Sequence, residues 1–308
     1  PVHSAARAAL EVLGVKLGLS AVARRLTGRR PLILAYHNVM PDGVPTKGER
    51  SLHVSRSRFV EQIELLAATR RVVPLVEILD RGHTRGPADR PTAAITFDDA
   101  YAGALELALP ELAERGLAAT LFVPPGLLGN ESFWWDAVAD SESGLVAPDI
   151  RARALDEHEG RDDRIRAWAH RGGPPVHEVG VWERPGTPDQ LDRAALLPRI
   201  TFGSHTWSHP NLVRIDAADR TREIAESLAW LADRYPDRTI PWIAYPYGRC
   251  SREVADAARR SGCAGGLRID GGLVGRGDAR AIALPRLNVP AGLSVRGFEL
   301  RAAGLFTR

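Results

Sequence analysis

The chain has 308 residues, 44% of them hydrophobic and 26% charged, with a net charge of +3. That is enough apolar sequence for a sizeable core, and it excludes both a disordered chain and a disulfide mini-protein. Acids and arginines are interspersed without a basic tail, which argues against a nucleic-acid partner despite a sequence pI of 9.2.

In chain order, residues 8–26 are apolar-rich but carry Glu11, Lys16, Arg24 and Arg25. This is the pattern of an amphipathic helix rather than of a signal peptide or a membrane span. We expect an N-terminal helical segment over residues 1–30, the main domain over 31–296 and a tail over 297–308. Pro31–Tyr36 reads as a buried strand. Ser57 is placed to cap a helix through Arg70, with Phe59, Ile63 and Leu66 on one face. Ala93–Phe97 is a second strand, followed by a helix from about Tyr101 that Pro110 interrupts. Ala118–Val123 is a third strand. Residues 130–198 break the rhythm with acids, arginines, prolines and glycine-rich turns. A structureless loop of that length is uncommon in a compact domain. The segment therefore reads as an insertion packed beside the main domain, with short helices of about Asp149–His158 and Asp162–His170.

Ile200–Phe202 then begins a strand, and Ala217–Arg234 is an amphipathic helix with Ile224, Leu228 and Leu231 inward. Trp242–Tyr245 is a strand, Arg252–Ser261 a helix and Ile282–Leu284 a last short strand. Such alternation predicts an α/β fold with a mainly parallel sheet or barrel. The two cysteines, Cys250 and Cys263, are too few for a four-cysteine zinc site and read as structural. No apolar run reaches the ~18 residues of a transmembrane segment. The compartment stays open, with the cytoplasm slightly favoured and a signal peptide removed upstream of Pro1 as the alternative.

The residues that carry chemistry sit at strand ends. Asp98 and Asp99 follow one apolar strand, His205 and His209 follow another, and Tyr245-Pro246-Tyr247-Gly248 follows a third. In parallel α/β folds the C-terminal strand ends line the active-site face. Two imidazoles at i and i+4 can lie on one side of a helical turn and bind one ion, and one carboxylate completes a three-ligand set with open positions. The second carboxylate can then take a proton from bound water, whose pKa an ion lowers to about 7. Alone, an Asp-Asp pair is usually a helix cap or a solvated turn, and His-x-x-x-His is usually a surface or core pair. Together at successive strand ends, with the Tyr-Pro-Tyr-Gly turn, they are hard to explain as accident. Two histidines and a carboxylate also make the facial triad of a non-haem iron oxygenase, which gives no role to the second Asp or to the turn.

TFDDA (Thr96–Ala100), SHTWSH (Ser204–His209) and YPYG (Tyr245–Gly248) resemble the successive motifs of the polysaccharide deacetylase family, the NodB-homology or carbohydrate esterase 4 domain. The resemblance runs from about Pro31 to Val295. AYHNVMP (Ala35–Pro41), ATLFVPP (Ala119–Pro125), FWWD (Phe133–Asp136) and LPRLNV (Leu284–Val289) resemble its branch with an early Tyr-His segment. The resemblance implies a distorted (β/α)7-type barrel. It also implies metal-dependent hydrolysis of an acetyl group, N-acetyl favoured, on a saccharide, polysaccharide or glycoconjugate. Asp98 resembles the general base. Asp99, His205 and His209 resemble the ligands of a divalent metal, zinc (Zn2+) first. Tyr247 resembles the residue whose backbone N–H helps hold the oxyanion, on a turn fixed by Pro246.

Three departures stand out. The glycine after the Asp pair is Ala100, which reads as a small change. The arginine before the Pro-Tyr turn is Ala244. The late Leu-x-His, whose histidine protonates the leaving amine, has no counterpart. His37, just past the first strand, is expected as the substitute acid ahead of the alternative, a buried histidine bonded to a backbone carbonyl. Arg286 is divided evenly between replacing the arginine by pairing with Asp98 and a salt bridge away from the site. Trp134, Trp135 and Trp207 are divided evenly between a sugar groove and the core. Asp136 is expected to touch substrate or a site residue rather than a metal. The two missing motif residues leave a glycan-binding pseudoenzyme as a rival, against which retention of Asp98 and three ligands argues.

Overall fold

The computed structural model describes residues 11, 18–27, 30–79, 90–275 and 281–305. Of the expected N-terminal helical segment, residues 1–10, 12–17 and 28–29 lie outside them, and the part within them forms a helix at Leu19–Thr27. The strands are β1 (Leu32–Tyr36), β2 (Asn38–Met40), β3 (His53–Ser55), β4 (Arg71–Val72), β5 (Thr92–Phe97), β6 (Ala119–Val123), β7 (Ile200–Ser204), β8 (Thr239–Ala244), β9 (Gly265–Leu267) and β10 (Leu287–Asn288). The main sheet runs β10-β1-β5-β6-β7-β8-β9 with β4 beside β5, and every pair in it is parallel. Leu284 bridges to Leu267 at one edge while Leu287 pairs with Leu34 at the other. The Leu284–Asn288 segment therefore joins the two edges of the curled sheet.

Side chains alternate across this sheet as the pleat requires. Ile33, Ala94, Phe122, Ala244, Leu267 and Leu284 pack together in one cluster. Leu32, Leu34, Tyr36, Ile95, Phe97 and Leu121 face a second, larger core with the helices. Both faces are covered, which is why these strands read as continuous apolar runs.

The helices are α1 (Leu19–Thr27), α2 (Arg56–Thr69), α3 (Leu109–Glu114), α4 (Trp134–Ala137), α5 (Pro148–Asp156), α6 (Asp162–His170), α7 (Pro188–Ala195), α8 (Ala217–Arg234), α9 (Arg252–Arg260) and α10 (Val295–Ala302). None is long and apolar enough to cross a membrane. Ser55, not Ser57, occupies the N-cap of α2, and Ser57 bonds Asp42 instead. The helix expected from Tyr101 continues past Pro110, preceded by a π-helical turn at Ala104–Ala108. Proline has no N–H for the preceding turn, which accommodates by widening. Ile282–Leu284 is not a strand: Ala281–Ala283 forms a 3-10 turn, and Pro285, lacking an N–H, ends the ladder after Leu284. The edge strand is Leu287–Asn288. Cys250 and Cys263 are free thiols.

The insertion is tied down by buried polar groups. Asp136 accepts from Glu49 N–H at 2.8 Å, from Tyr101 O–H at 2.6 Å and pairs with His53 Nε2 at 3.0 Å. Asp136 and His53 are buried. Glu183 accepts from the N–H groups of Lys47 and Gly48. Asp136→Ala leaves three buried groups without their acceptor. Each buried group left without its hydrogen-bond partner costs about 1–3 kcal/mol. We expect Tm to fall by roughly 10 °C, measured by calorimetry; a fall under about 3 °C would mean that solvent reaches these groups.

Candidate active site

The Asp pair sits where β5 ends. Asp98 N–H donates to the Tyr36 carbonyl at 3.0 Å, which continues the β1–β5 ladder by one residue. The backbone then turns sharply, with φ of 71° at Asp99 and 59° at Ala100. The left-handed conformation costs a residue with a Cβ about 1–2 kcal/mol. The glycine-to-alanine change at this position is therefore a backbone strain, more than the small change that side-chain size suggests. Ala100 is fully buried, and its carbonyl accepts from Gly186 N–H at 2.8 Å.

His205 follows β7 directly, and its N–H donates to Val123 at 3.0 Å. The segment to His209 is a loop rather than the helical turn that the i, i+4 spacing suggests, with φ of 63° at Thr206 and 58° at His209. Two bonds lock the loop: His209 N–H to Thr206 Oγ1 at 3.1 Å, and Ser208 Oγ to Glu223 Oε1 at 2.7 Å. His205 Nδ1 bonds the Ala244 carbonyl at 2.8 Å. A carbonyl only accepts, so Nδ1 carries the proton and Nε2 presents its lone pair inward.

Three ligand atoms thus meet. Asp99 Oδ1 lies 3.2 Å from His205 Nε2 and 3.3 Å from His209 Nε2, and the two Nε2 atoms are 3.1 Å apart. Donors ~2.0–2.1 Å from a tetrahedral zinc stand about 3.3 Å from one another. Asp99 Oδ1 is buried with no hydrogen-bond partner. Burial, with the neighbouring His205 ring adding to it, pushes His209 down to about 3. His205 is raised, Asp98 and Asp99 outweighing the burial that opposes its charge. An orphaned carboxylate oxygen facing two imidazole nitrogens fits a divalent cation.

Asp98 stands beside the triangle with a different partner. Arg286 grips it through two bonds, Nη1 to Oδ1 at 2.7 Å and Nη2 to Oδ2 at 2.6 Å. Arg286 is fully buried and is itself fixed by Thr96 Oγ1 and the Arg268 carbonyl. Burial opposes the charge on Asp98, but the Arg286 guanidinium outweighs it and holds the carboxyl well below the usual carboxylate range. The pairing expected of Arg286 is thus present, and it comes from the barrel-closing segment instead of the turn at Ala244.

His37, half-buried, lines the same cavity as Asp98, Asp99, His205 and His209. Burial pushes its pKa down, against the pull of Asp99 and Asp98. The cavity measures about 470 Å³. Trp135 forms part of its wall and packs against His209 at 4.9 Å between ring centres. Trp134 is buried beneath, Trp207 rests on Gly126, and Pro246 is buried in its turn. None of these three is among the residues lining the cavity. Asp136 bonds Tyr101, whose hydroxyl accepts from the Trp135 indole at 2.7 Å.

Arg151 and Leu155 of α5 also line the cavity, so the insertion supplies a wall of the site and does not merely pack beside the domain. Ile269 and Asn288 complete the far side and border a second cavity of about 720 Å³. No spacing in the sequence signals these four residues, because they meet the motif residues only through the fold.

The polysaccharide deacetylase family model matches residues 85–265. No curated protein sequence matches the chain. Among solved structures, the deacetylase PplD from Streptococcus pyogenes, in complex with acetate, is similar at 18% identity and a TM-score of 0.60, over 89% of this chain and 98% of that one. IcaB from Ammonifex degensii is similar at 18% identity and a TM-score of 0.60, over 90% and 98%. A de-N-acetylase from Aggregatibacter actinomycetemcomitans is similar at 14% identity and a TM-score of 0.57, over 83% and 94%. At these identities the likeness concerns the fold, a parallel sheet curled into a (β/α)7-type barrel.

Proposed function

Because the chain belongs to the polysaccharide deacetylase family, we propose that it removes N-acetyl groups from a glycan with the help of a divalent metal, zinc first. It is a carbohydrate deacetylase; the metal and the preference for nitrogen are the proposal. The observation that carries it is the division of the Asp pair: Asp99 joins two imidazoles in a cation-sized triangle, while Asp98 is held apart by Arg286.

An ion held by Asp99, His205 and His209 would acidify water and polarise the acetyl carbonyl. Asp98 then accepts the proton of the attacking water at a carboxylate oxygen. The two Arg286 bonds keep that carboxylate ionised and turned toward the cavity. The Tyr247 backbone N–H donates to the carbonyl oxygen as it becomes negative. His37, as the imidazolium, donates a proton to the nitrogen as the C–N bond breaks, and the proton that Asp98 took from water restores it. Acetate and a free amino sugar leave. Trp135 gives the acetyl methyl group an apolar wall.

Incubating the zinc-loaded protein with N-acetylated and O-acetylated glycans and measuring released acetate tests this reading. Release from esters alone would overturn the nitrogen preference, and full activity in the presence of a chelator would overturn the metal. The same assay tests His37. An amine leaves poorly unless it is protonated, whereas an activated ester needs no proton on departure. His37→Ala should cost about 10²-fold on the amide, in the range of general acid catalysis, and little on the ester. Equal losses would remove His37 from the acid's role.

A further inference from the structure

The turn at Tyr247 has its own backbone bonds, Gly248 N–H to Tyr245 at 2.8 Å and Arg249 N–H to Pro246 at 3.1 Å, and the Tyr247 phenol is held in addition from the insertion. Its hydroxyl accepts from the Trp134 indole N–H at 3.1 Å and donates to the Gly160 carbonyl at 3.0 Å, with the His209 carbonyl at 3.2 Å. Its ring packs on His209 at 4.6 Å between centres. Gly160 sits in the turn between α5 and α6, at φ +66°, and has no room for a side chain. A Cβ there would lie 2.7 Å from Tyr247 Cε2 and 2.9 Å from its hydroxyl. The turn is pinned to the His209 loop in its own right: Asn211 N–H donates to Glu159 at 2.7 Å, and Asn211 Nδ2 to Leu155 at 2.9 Å.

This restraint acts on an unusual backbone. Tyr247 has φ 58° and ψ 12°, the left-handed region that a residue with a Cβ avoids. Such a conformation persists only where the surroundings over-determine it. Pro246 fixes the φ before it, but nothing in a proline fixes the φ after it. Among the described residues the Tyr247 N–H donates to no group, so it is available to a ligand.

We infer that Trp134 and the Gly160 turn are positioning elements of the active site. By clamping the Tyr247 phenol, they hold the Tyr247 backbone N–H at the angle that stabilises the tetrahedral anion. The inference rests on the deacetylation proposed above and gives the insertion a part in it. An anion-stabilising N–H acts mainly in the transition state. Loosening its support therefore lowers kcat and leaves KM nearly unchanged, whereas a structural defect would weaken zinc and substrate binding as well.

The test uses the zinc-loaded protein and methylphosphonate, a methyl-bearing tetrahedral anion that mimics the acetyl group under attack. Tyr247→Phe, Trp134→Phe and Gly160→Ala should each weaken methylphosphonate binding by about tenfold, the effect of losing part of one hydrogen-bond donor, with zinc affinity unchanged. On a glycan that the wild type deacetylates, kcat should fall by a similar factor with KM within about twofold. Trp134→Phe added to Tyr247→Phe should cost nothing further, because both act through one hydroxyl. Gly160→Ala displaces the phenol without deleting it, and it decides the matter if Tyr247→Phe does not fold. Unchanged methylphosphonate affinity, or affinity that falls only together with that for zinc, overturns the inference. Because the anion measurement needs no substrate, an inactive wild type would refute the deacetylase reading separately.

Discussion

Asp98→Asn should lower deacetylation by about 10²–10⁴-fold, the usual range for loss of a general base, while zinc binding stays nearly intact. The reason is geometric. Asp98 contributes no atom to the triangle of Asp99, His205 and His209, and both of its oxygens face Arg286. An amide of nearly the same shape keeps one oxygen for the guanidinium but cannot accept the water's proton. Comparing kcat with zinc stoichiometry by calorimetry separates the two functions. If Asp98→Asn loses zinc while Asp99→Asn keeps it, the roles of the two carboxylates are reversed.

Asp99→Ala should show the opposite profile. Zinc affinity falls by more than the roughly 10–100-fold that outer-shell substitutions cost. Activity drops by on the order of 10³-fold or more, because water without an ion is a far weaker acid. His209→Ala should behave alike, since its Nε2 is 3.3 Å from Asp99 Oδ1 and 3.1 Å from His205 Nε2. Fluorescent zinc competition and acetate release read the two effects separately. Activity that survives Asp99→Ala under a chelator would show that the reaction does not use this triangle.

The motifs were legible because each falls at the end of an apolar run, where the alternation of the sheet sends residues to one face. Asp98 and Asp99 after AAITF, His205 after ITFGS and the turn after TIPWIA needed only the rule that parallel strands deliver their C-terminal ends together. Strand β9 was not legible. Its Gly265 and Gly266 have low strand propensity, and they are there because Trp242 and the Tyr245 hydroxyl come within 2.2 Å and 2.5 Å of where a Cβ would be. The short strand expected at Ile282–Leu284 failed for a local reason, since Pro285 ends it, and its partner in closure lies three residues on.

By itself, the sequence determined the parallel α/β architecture, the three strand-end motifs and the deacetylase family, because periodicity and short-range spacing are written directly in the order of residues. The resemblance already gave Asp99 to the histidines and Asp98 to Arg286; only the tertiary structure showed how these adjacent residues come to face apart, at a left-handed turn whose φ of 71° at Asp99 no composition reveals. It also decided that the irregular segment around Trp134, Arg151, Leu155 and Gly160 reaches the cavity and the Tyr247 phenol. Those contacts join residues separated by up to 113 positions. At such separations nothing local constrains the pairing, and only closure of the barrel brings the groups together.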